Sequence, residues 1–446
     1  MMIKRRHGRL AAVALAVTAL TMTAACGSSD SESPAGGSSS AAANEPVKLV
    51  LDTFGGGKNF GYEALIKEYE SAHPNITIEH RNTERFEDQY LPALLQKLDA
   101  GSGSGDVVAM DEGGMGLAKA RPQYWLDLGK YGLNSRKSDF PDWKWENGVT
   151  GDGQLFALGT DVGGMAMAYR KDLFKKAGLP TDREEVSKLW PTWDDFVKVG
   201  QRFQAKVPGS KWVDGPNTLY NVVLVQEAAK NGNVSYFDTS NNLIVDKNPA
   251  VRSAFDFVVK LHADNLTAKL QSFTPAWNTG FKKDQFATMG APAWMLGVIE
   301  GNAGESQSGK WDVAAVPGGG GNWGGSWLMV PKQTKHPKEA ADLLNFLTSK
   351  EGHIGAFKEA STFPSSIPAQ QDPQVTDLKN AFFNDAPVGK IFSESVASLQ
   401  PVFLGEKHAQ VKTEVEKIVQ GVDQDSIKPD GAWQKFVEAA QKAAES

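Results

Sequence analysis

Residues 45–112 read EPVKLVLDTFGGGKNFGYEALIKEYESAHPNITIEHRNTERFEDQYLPALLQKLDAGSGSGDVVAMDE. EPVKLVLD (45–52) is a β-branched and Leu-rich run that stops at the glycine-rich turn TFGGG (53–57), as a strand does. GYEALIKEYES (61–71) then places Leu65, Ile66 and Tyr69 at helical spacing. ITIEH (76–80) predicts a second strand, 86–100 a helix, and DVVAM (106–110) a third strand that ends at Asp111 and Glu112. Strand, helix, strand, helix, strand is the βαβ signature of a parallel sheet, and so of an α/β fold. In such sheets ligands sit beyond the carboxyl ends of the strands. That rule selects Phe54, Thr83 with Glu84, and Asp111 with Glu112 as first candidates for a binding site.

Upstream, Lys4, Arg5, Arg6 and Arg9 precede an unbroken apolar and small-residue stretch over 10–21. It falls short of the about 20 residues a spanning helix needs, and suits the apolar core of a signal peptide over 1–25. Small residues lead into the single cysteine as TAACG (23–27). This resembles the bacterial lipobox, with Cys26 acylated and the first residue of the mature chain. Thr23 departs from that pattern, where Leu is commoner. Arg5 and Arg6 leave the twin-arginine export route open beside the general one. Residues 28–44 are almost all Ser, Gly, Ala, Pro and acidic residues. They cannot bury enough surface to offset their ordering entropy, so 26–44 is expected to be a lipidated flexible tether.

The whole chain carries 47 Lys and Arg against 53 Asp and Glu, and loss of residues 1–25 removes four of the basic ones, leaving a net charge near −10. That balance argues against nucleic acid as a partner. A single cysteine allows no internal disulfide, so core packing must supply stability. About 400 mature residues exceed the usual size of one core, which implies two domains.

Downstream, PTWDDF (191–196) opens a helix with Thr192 and Asp195 as a capping box, so Asp194 and Asp195 serve the helix start. A helix is expected over 219–230 after the polar loop DGPN (214–217). DTSNN (238–242) lacks the glycine and glutamate of a calcium loop and predicts a surface turn. GGGGNWGGSW (318–327) holds six glycines in its first eight residues. A backbone crossing between domains, close to a ligand, explains them better than a helix or central strand. An amphipathic helix is expected over 337–349, a turn at FPSS (363–366), and mostly helix over the last hundred residues.

Twelve tryptophans are the chain's chemical signature. Packing accounts for Trp125, Trp190, Trp193, Trp212 and Trp433, which lie in or beside helical patterns. Trp277, Trp294, Trp323 and Trp327 fall in loops or strand ends rich in Gly, Pro and Ala, where the flat indole is free for a ligand. A pyranose ring, with an apolar face and a hydroxyl rim, suits such a platform flanked by Asp, Glu and Asn. The sequence has no HExxH, CxxC or phosphate-loop motif and no Gly-x-Ser-x-Gly elbow, so no metal, cofactor or catalytic residue is expected. A glycoside hydrolase would need two carboxylates about 5–9 Å apart. Asp111, Glu112, Asp161 and Glu84 could supply them, without a distinctive spacing.

The order of VKLVLDTF (47–54), DVVAMD (106–111), MAYRKDLFKKAGLP (167–180), PTWDDF (191–196), FATM (286–289) and WLMVP (327–331) resembles the extracellular solute-binding proteins of carbohydrate ABC importers. LGTDVG (158–163), FTPAWN (273–278) and KWDVAAVPGGG (310–320) are similar to the cello-oligosaccharide-binding lipoproteins of actinobacteria. The resemblance implies a periplasmic-binding-protein-like (type II) fold, two α/β lobes joined by a hinge of several crossings. Lobe 1 would hold 45–156 plus 320–350, and lobe 2 would hold 160–315 plus 355–446. It implies that Trp294, at the end of APAW (291–294), stacks on a sugar. Asp111 and Glu112 would bind hydroxyls, Asn217 and Asn221 would line lobe 2, and Asp161 would lie at the first crossing. With Phe54, Glu84, Trp277, Asn322, Trp323 and Trp327 these make the expected ligand-binding set. The implied protein is a non-enzymatic monomer on the outer face of the cytoplasmic membrane, held by its lipid. Its partners would be an oligosaccharide, permease subunits and a separate ATPase. Cellobiose or cellotriose is the expected ligand, with xylo- or malto-oligosaccharides as alternatives, and a surface-anchored glycoside hydrolase as the alternative of another class.

Overall fold

In the computed structural model, residues 45–56 and 60–445 are described. The expected signal peptide, Cys26 and the tether lie outside them. The opening stretch forms β1 (Val47–Phe54), β2 (Ile76–Thr83) and β3 (Val107–Asp111). β1 runs parallel to both neighbours, with Val47 opposite Ile76, Phe54 opposite Thr83, and Leu51 opposite Val107. The helices Glu63–Ala72 and Leu91–Asp99 make the crossovers, the second led in by a π-helical turn, Phe86–Tyr90. Leu49, Leu51, Val107, Val108 and Ala109 are fully buried, as strands covered on both faces require.

The remaining strands are β4 (Ala157–Gly159), β5 (Met165–Arg170), β6 (Lys211–Val213), β7 (Phe286–Pro292), β8 (Trp311–Ala314) and β9 (Ser326–Met329). One sheet has the order β2-β1-β3-β9-β4 and the other β6-β7-β5-β8. β9 enters the first sheet antiparallel to β3 and β4. The parallel pattern of the N-terminal stretch is thus completed by a strand from more than 200 residues downstream. This is an α/β fold with two sheets, each with its own core.

Among the described residues, 160–164 joins β4 to β5 and 315–325 joins β8 to β9, so both pass from one sheet to the other, and 361–366 runs beside them. These segments are tied side by side: Val162 N–H donates to Phe363 O at 2.9 Å, Trp323 N–H to Gly163 O at 2.9 Å, and Thr160 N–H to Ser326 O at 2.8 Å. A Cβ on Gly163 would stand 2.0 Å from the Trp323 carbonyl oxygen, so only glycine allows this approach.

Three local expectations change. The helix expected over 219–230 is Pro216–Lys230, because Pro216 takes its first turn after an extended Gly215. Asn217 therefore lies in the helix and not in a loop. Trp277 lies on a short helix, Pro275–Gly280, and is fully buried against Phe281 and Phe273. Trp327 is in a central strand rather than at a strand end, and is also fully buried.

Candidate functional site

Between the two sheets lies a cavity of about 270 Å³, just below the roughly 300–1,000 Å³ usual for ligand pockets. The ends of β1, β2 and β3 supply Phe54, Glu84, Asp111 and Glu112, as the strand-end rule predicts. The helix Pro216–Lys230 supplies Asn217 and Asn221, and the crossings supply Asp161, Asn322 and Trp323. Trp294 stands at the start of the helix Met295–Ala303, directly after β7. The structure thus brings ten of the twelve expected residues to one cavity.

Trp277 and Trp327 are the two it does not. Trp277 Nε1 donates to the buried Asp214 carboxylate at 2.7 Å. Burial pushes Asp214 up to about 6, against the hydrogen bonds from Trp277 and Thr218. Trp327 donates from Nε1 to the Lys144 carbonyl at 3.1 Å and lies under the Lys144 ammonium. Both indoles are spent on the core, because each has a polar partner inside it.

The two tryptophans at the cavity, Trp294 and Trp323, meet edge to face with centroids 5.6 Å apart. Trp294 Nε1 donates to the Trp323 carbonyl at 3.1 Å, which fixes one indole against the glycine-rich crossing. Asn322 locks the same segment. Its Nδ2 donates to Glu112 Oε2 at 2.6 Å, and its Oδ1 accepts from Gly163 N–H at 2.8 Å. Asp111 caps the helix Glu112–Lys119 by accepting from Gly113 N–H at 2.9 Å.

Three carboxylates and one cation share this end. Burial, with Glu87 adding to it, pushes Asp111 up to about 6. Burial likewise lifts Glu112 to about 8, although Lys144 opposes the shift. Asp161 is raised by burial against the pull of Lys144 and Thr160. Lys144 donates to the Asp161 carbonyl at 2.7 Å, and burial lowers it to about 8 despite the nearby carboxylates. Such groups are held short of full solvation, and hydroxyl donors would restore what water no longer supplies. No group of three or more His, Cys, Asp or Glu among the described residues could hold a metal ion.

Sequence reasoning missed the wall formed by the helix His408–Asp423. His408, Lys412 and Glu416 line the cavity at four-residue spacing, beside the buried stripe Val411, Val415 and Val419. The spacing was legible, but a polar helix stripe by itself marks only a solvated face. Ser272, Thr362 and Asn217 also line the cavity, and each has a buried side-chain oxygen without a protein partner.

Residues 64–383 match the family model described as bacterial extracellular solute-binding protein. The chain belongs to this family. A crystal structure of an extracellular solute-binding protein of family 1 is 39% identical, with a TM-score of 0.76 over 90% of this chain and all of that one. The arabinooligosaccharide-binding protein of Bacillus subtilis is 23% identical over 407 residues, 84% of this chain and 86% of the relative. The ABC transporter associated binding protein of B. animalis subsp. lactis, solved with β-1,6-galactobiose, is 18% identical with a TM-score of 0.77 over 90% of this chain and 98% of that one. At that identity the last likeness concerns the fold, which is periplasmic-binding-protein-like. This solute-binding protein is therefore not an enzyme, and the glycoside-hydrolase alternative falls.

Proposed function

We propose that this solute-binding protein captures a cello-oligosaccharide, cellobiose or cellotriose, between two lobes and delivers it to an ABC permease served by a separate ATPase. In this reading lobe 1 comprises 45–156 plus 320–350 and lobe 2 comprises 160–315 plus 355–446. The single observation behind it is the pairing of Trp294 and Trp323 with Asp111, Glu112 and Asn322 around one cavity. Indole faces suit the apolar face of a pyranose, and carboxylates with amides suit its hydroxyl rim. The relatives named for arabino-oligosaccharide and β-1,6-galactobiose support an oligosaccharide as the ligand class, and the motifs at 158–163, 273–278 and 310–320 favour the cello-series. A sugar gains both half-sites only when the lobes close on it, which gives the permease a closed form to recognise. Micromolar affinity corresponds to about −8 kcal/mol.

The protein would work as a monomer on the outer face of the cytoplasmic membrane, acylated at Cys26. Residues 26–44 would give it reach at high local concentration near the permease. Calorimetric titration of the unacylated protein with cellobiose, cellotriose, xylobiose and maltotriose tests the ligand. Heat with the cello-sugars is expected. Heat with xylobiose or maltotriose alone would overturn the cello-series assignment, and silence with all four would overturn the sugar.

A further inference from the structure

On one side of the cavity, Glu87 lies in the turn Phe86–Tyr90, whose Phe86 and Tyr90 are buried in the core of the first sheet. On the other, Lys412 lies on the helix His408–Asp423, which touches the first core through Ala409 at its start but buries Val411, Val415, Val419 and Val422 with the helices Pro216–Lys230 and Pro249–Ala263. The Lys412 ammonium forms an ion pair with the Glu87 carboxylate. It also stands 3.6 Å from Glu416, one turn along its own helix. Glu416 accepts from Asn221 Nδ2 at 2.7 Å, and Asn221 Nδ2 also donates to the Asn217 carbonyl at 2.8 Å. A partly buried polar chain thus runs from Glu87 to the cavity face of the helix Pro216–Lys230.

Only one link in this chain joins the two cores. Lys412 to Glu416 and Glu416 to Asn221 stay within one packed unit, so they are the same whatever the distance between the sheets. Interactions present equally in two states cannot shift the balance between them. The link from Lys412 to Glu87 exists only when the two sides are together. When they part, both charges return to water and the attraction is lost. Lys412 is, moreover, already shared by two carboxylates, so a neutral sugar offers it little that Glu87 and Glu416 do not.

We infer that the Lys412–Glu87 ion pair is a ligand-independent clasp between the lobes, and that these two side chains position the half-sites for capture without serving as sugar contacts. The inference rests on the two-lobe reading above, and not on the identity of the sugar. A clasp that raises the closed population before ligand arrives raises apparent affinity by the same factor, because binding is diluted by the fraction of competent molecules. It also explains why a lysine stands in a cavity wall otherwise rich in carboxylates, where it draws Asp111 and Glu416 into the same field.

The test is a distance measurement in the absence of any sugar. Cys26→Ser leaves the chain free of cysteine, and spin labels on Lys67→Cys and Gln201→Cys, both exposed, report the separation of the two sides. Glu87→Ala is expected to broaden the ligand-free distribution toward longer distances. It should also raise the Kd for cellotriose about five- to tenfold, chiefly through faster dissociation. Glu87→Gln keeps the volume and is the second variant should the alanine form fold poorly, as read from its thermal transition. A ligand-free distribution identical to that of the parent protein in both variants would overturn the clasp, whatever the effect on stability. Should the parent give no heat with any sugar, the ligand assignment fails while the distance measurement still decides the clasp.

Discussion

The Lys144 ammonium lies 3.3 Å from the centroid of the Trp327 ring, so one face of this indole is already covered by a cation of the protein itself. The same lysine donates to the Asp161 carbonyl at the first crossing, and its own carbonyl accepts from Trp327 Nε1. A tryptophan that composition places near a sugar is thereby a structural strut beneath the first crossing.

Trp327→Ala should therefore cost about 3–5 kcal/mol of stability, the range for deleting a large buried aromatic. Denaturant unfolding checks this. A variant of unchanged stability that had lost sugar binding would return Trp327 to the ligand.

Trp294→Ala should show the opposite profile. Its indole is only partly buried and lines the cavity, so a loss of more than about 1 kcal/mol in sugar affinity is expected, with little change in Tm. Calorimetry alongside a thermal melt separates the two effects, and unchanged affinity would remove Trp294 from the site.

The carboxyl of Glu112 sets a pH dependence. Its folded value is raised to about 8 by burial, so between its ordinary value and about 8 the folded state holds a proton that the unfolded state has released. Stability therefore falls as pH rises through that window. Glu112→Gln, which keeps an oxygen for Asn322, should stabilise the ligand-free protein at pH 8 by about 1–2 kcal/mol and have little effect near pH 4. Melting curves across that range would refute this if the gain were the same at both ends.

Gly163→Ala should push the glycine-rich crossing away from its neighbour, since the added Cβ would overlap the Trp323 carbonyl. A stability loss of about 1–3 kcal/mol, the usual size of an overpacking effect, is expected together with weaker sugar binding. Wild-type stability and affinity would show that the crossings are looser than their hydrogen bonds imply.

Cys26→Ser should release the protein from the membrane while leaving sugar affinity unchanged. Palmitate labelling and detergent partitioning read the first, and calorimetry reads the second. Continued membrane association of the serine form would sink the lipid-anchor proposal.

The sequence by itself determined the α/β class and the cavity-facing ends of the first three strands. Alternating helical and strand periodicities are local properties, and a parallel strand's carboxyl end is set by its own direction. That is why Phe54, Glu84, Asp111 and Glu112 were legible from residues 45–112. The glycine run at 318–325 was legible as a crossing for a similar reason, since its backbone freedom excludes regular core structure. What only the tertiary structure decided was which indoles remain available and which charges meet. Trp277 and Trp294 have similar Gly-, Pro- and Ala-rich neighbourhoods, yet Trp277 finds the buried Asp214 and Trp294 does not. Lys412 meets Glu87 across 325 residues of chain. No local pattern encodes such a pair, because long-range packing chooses the partner of a buried polar group.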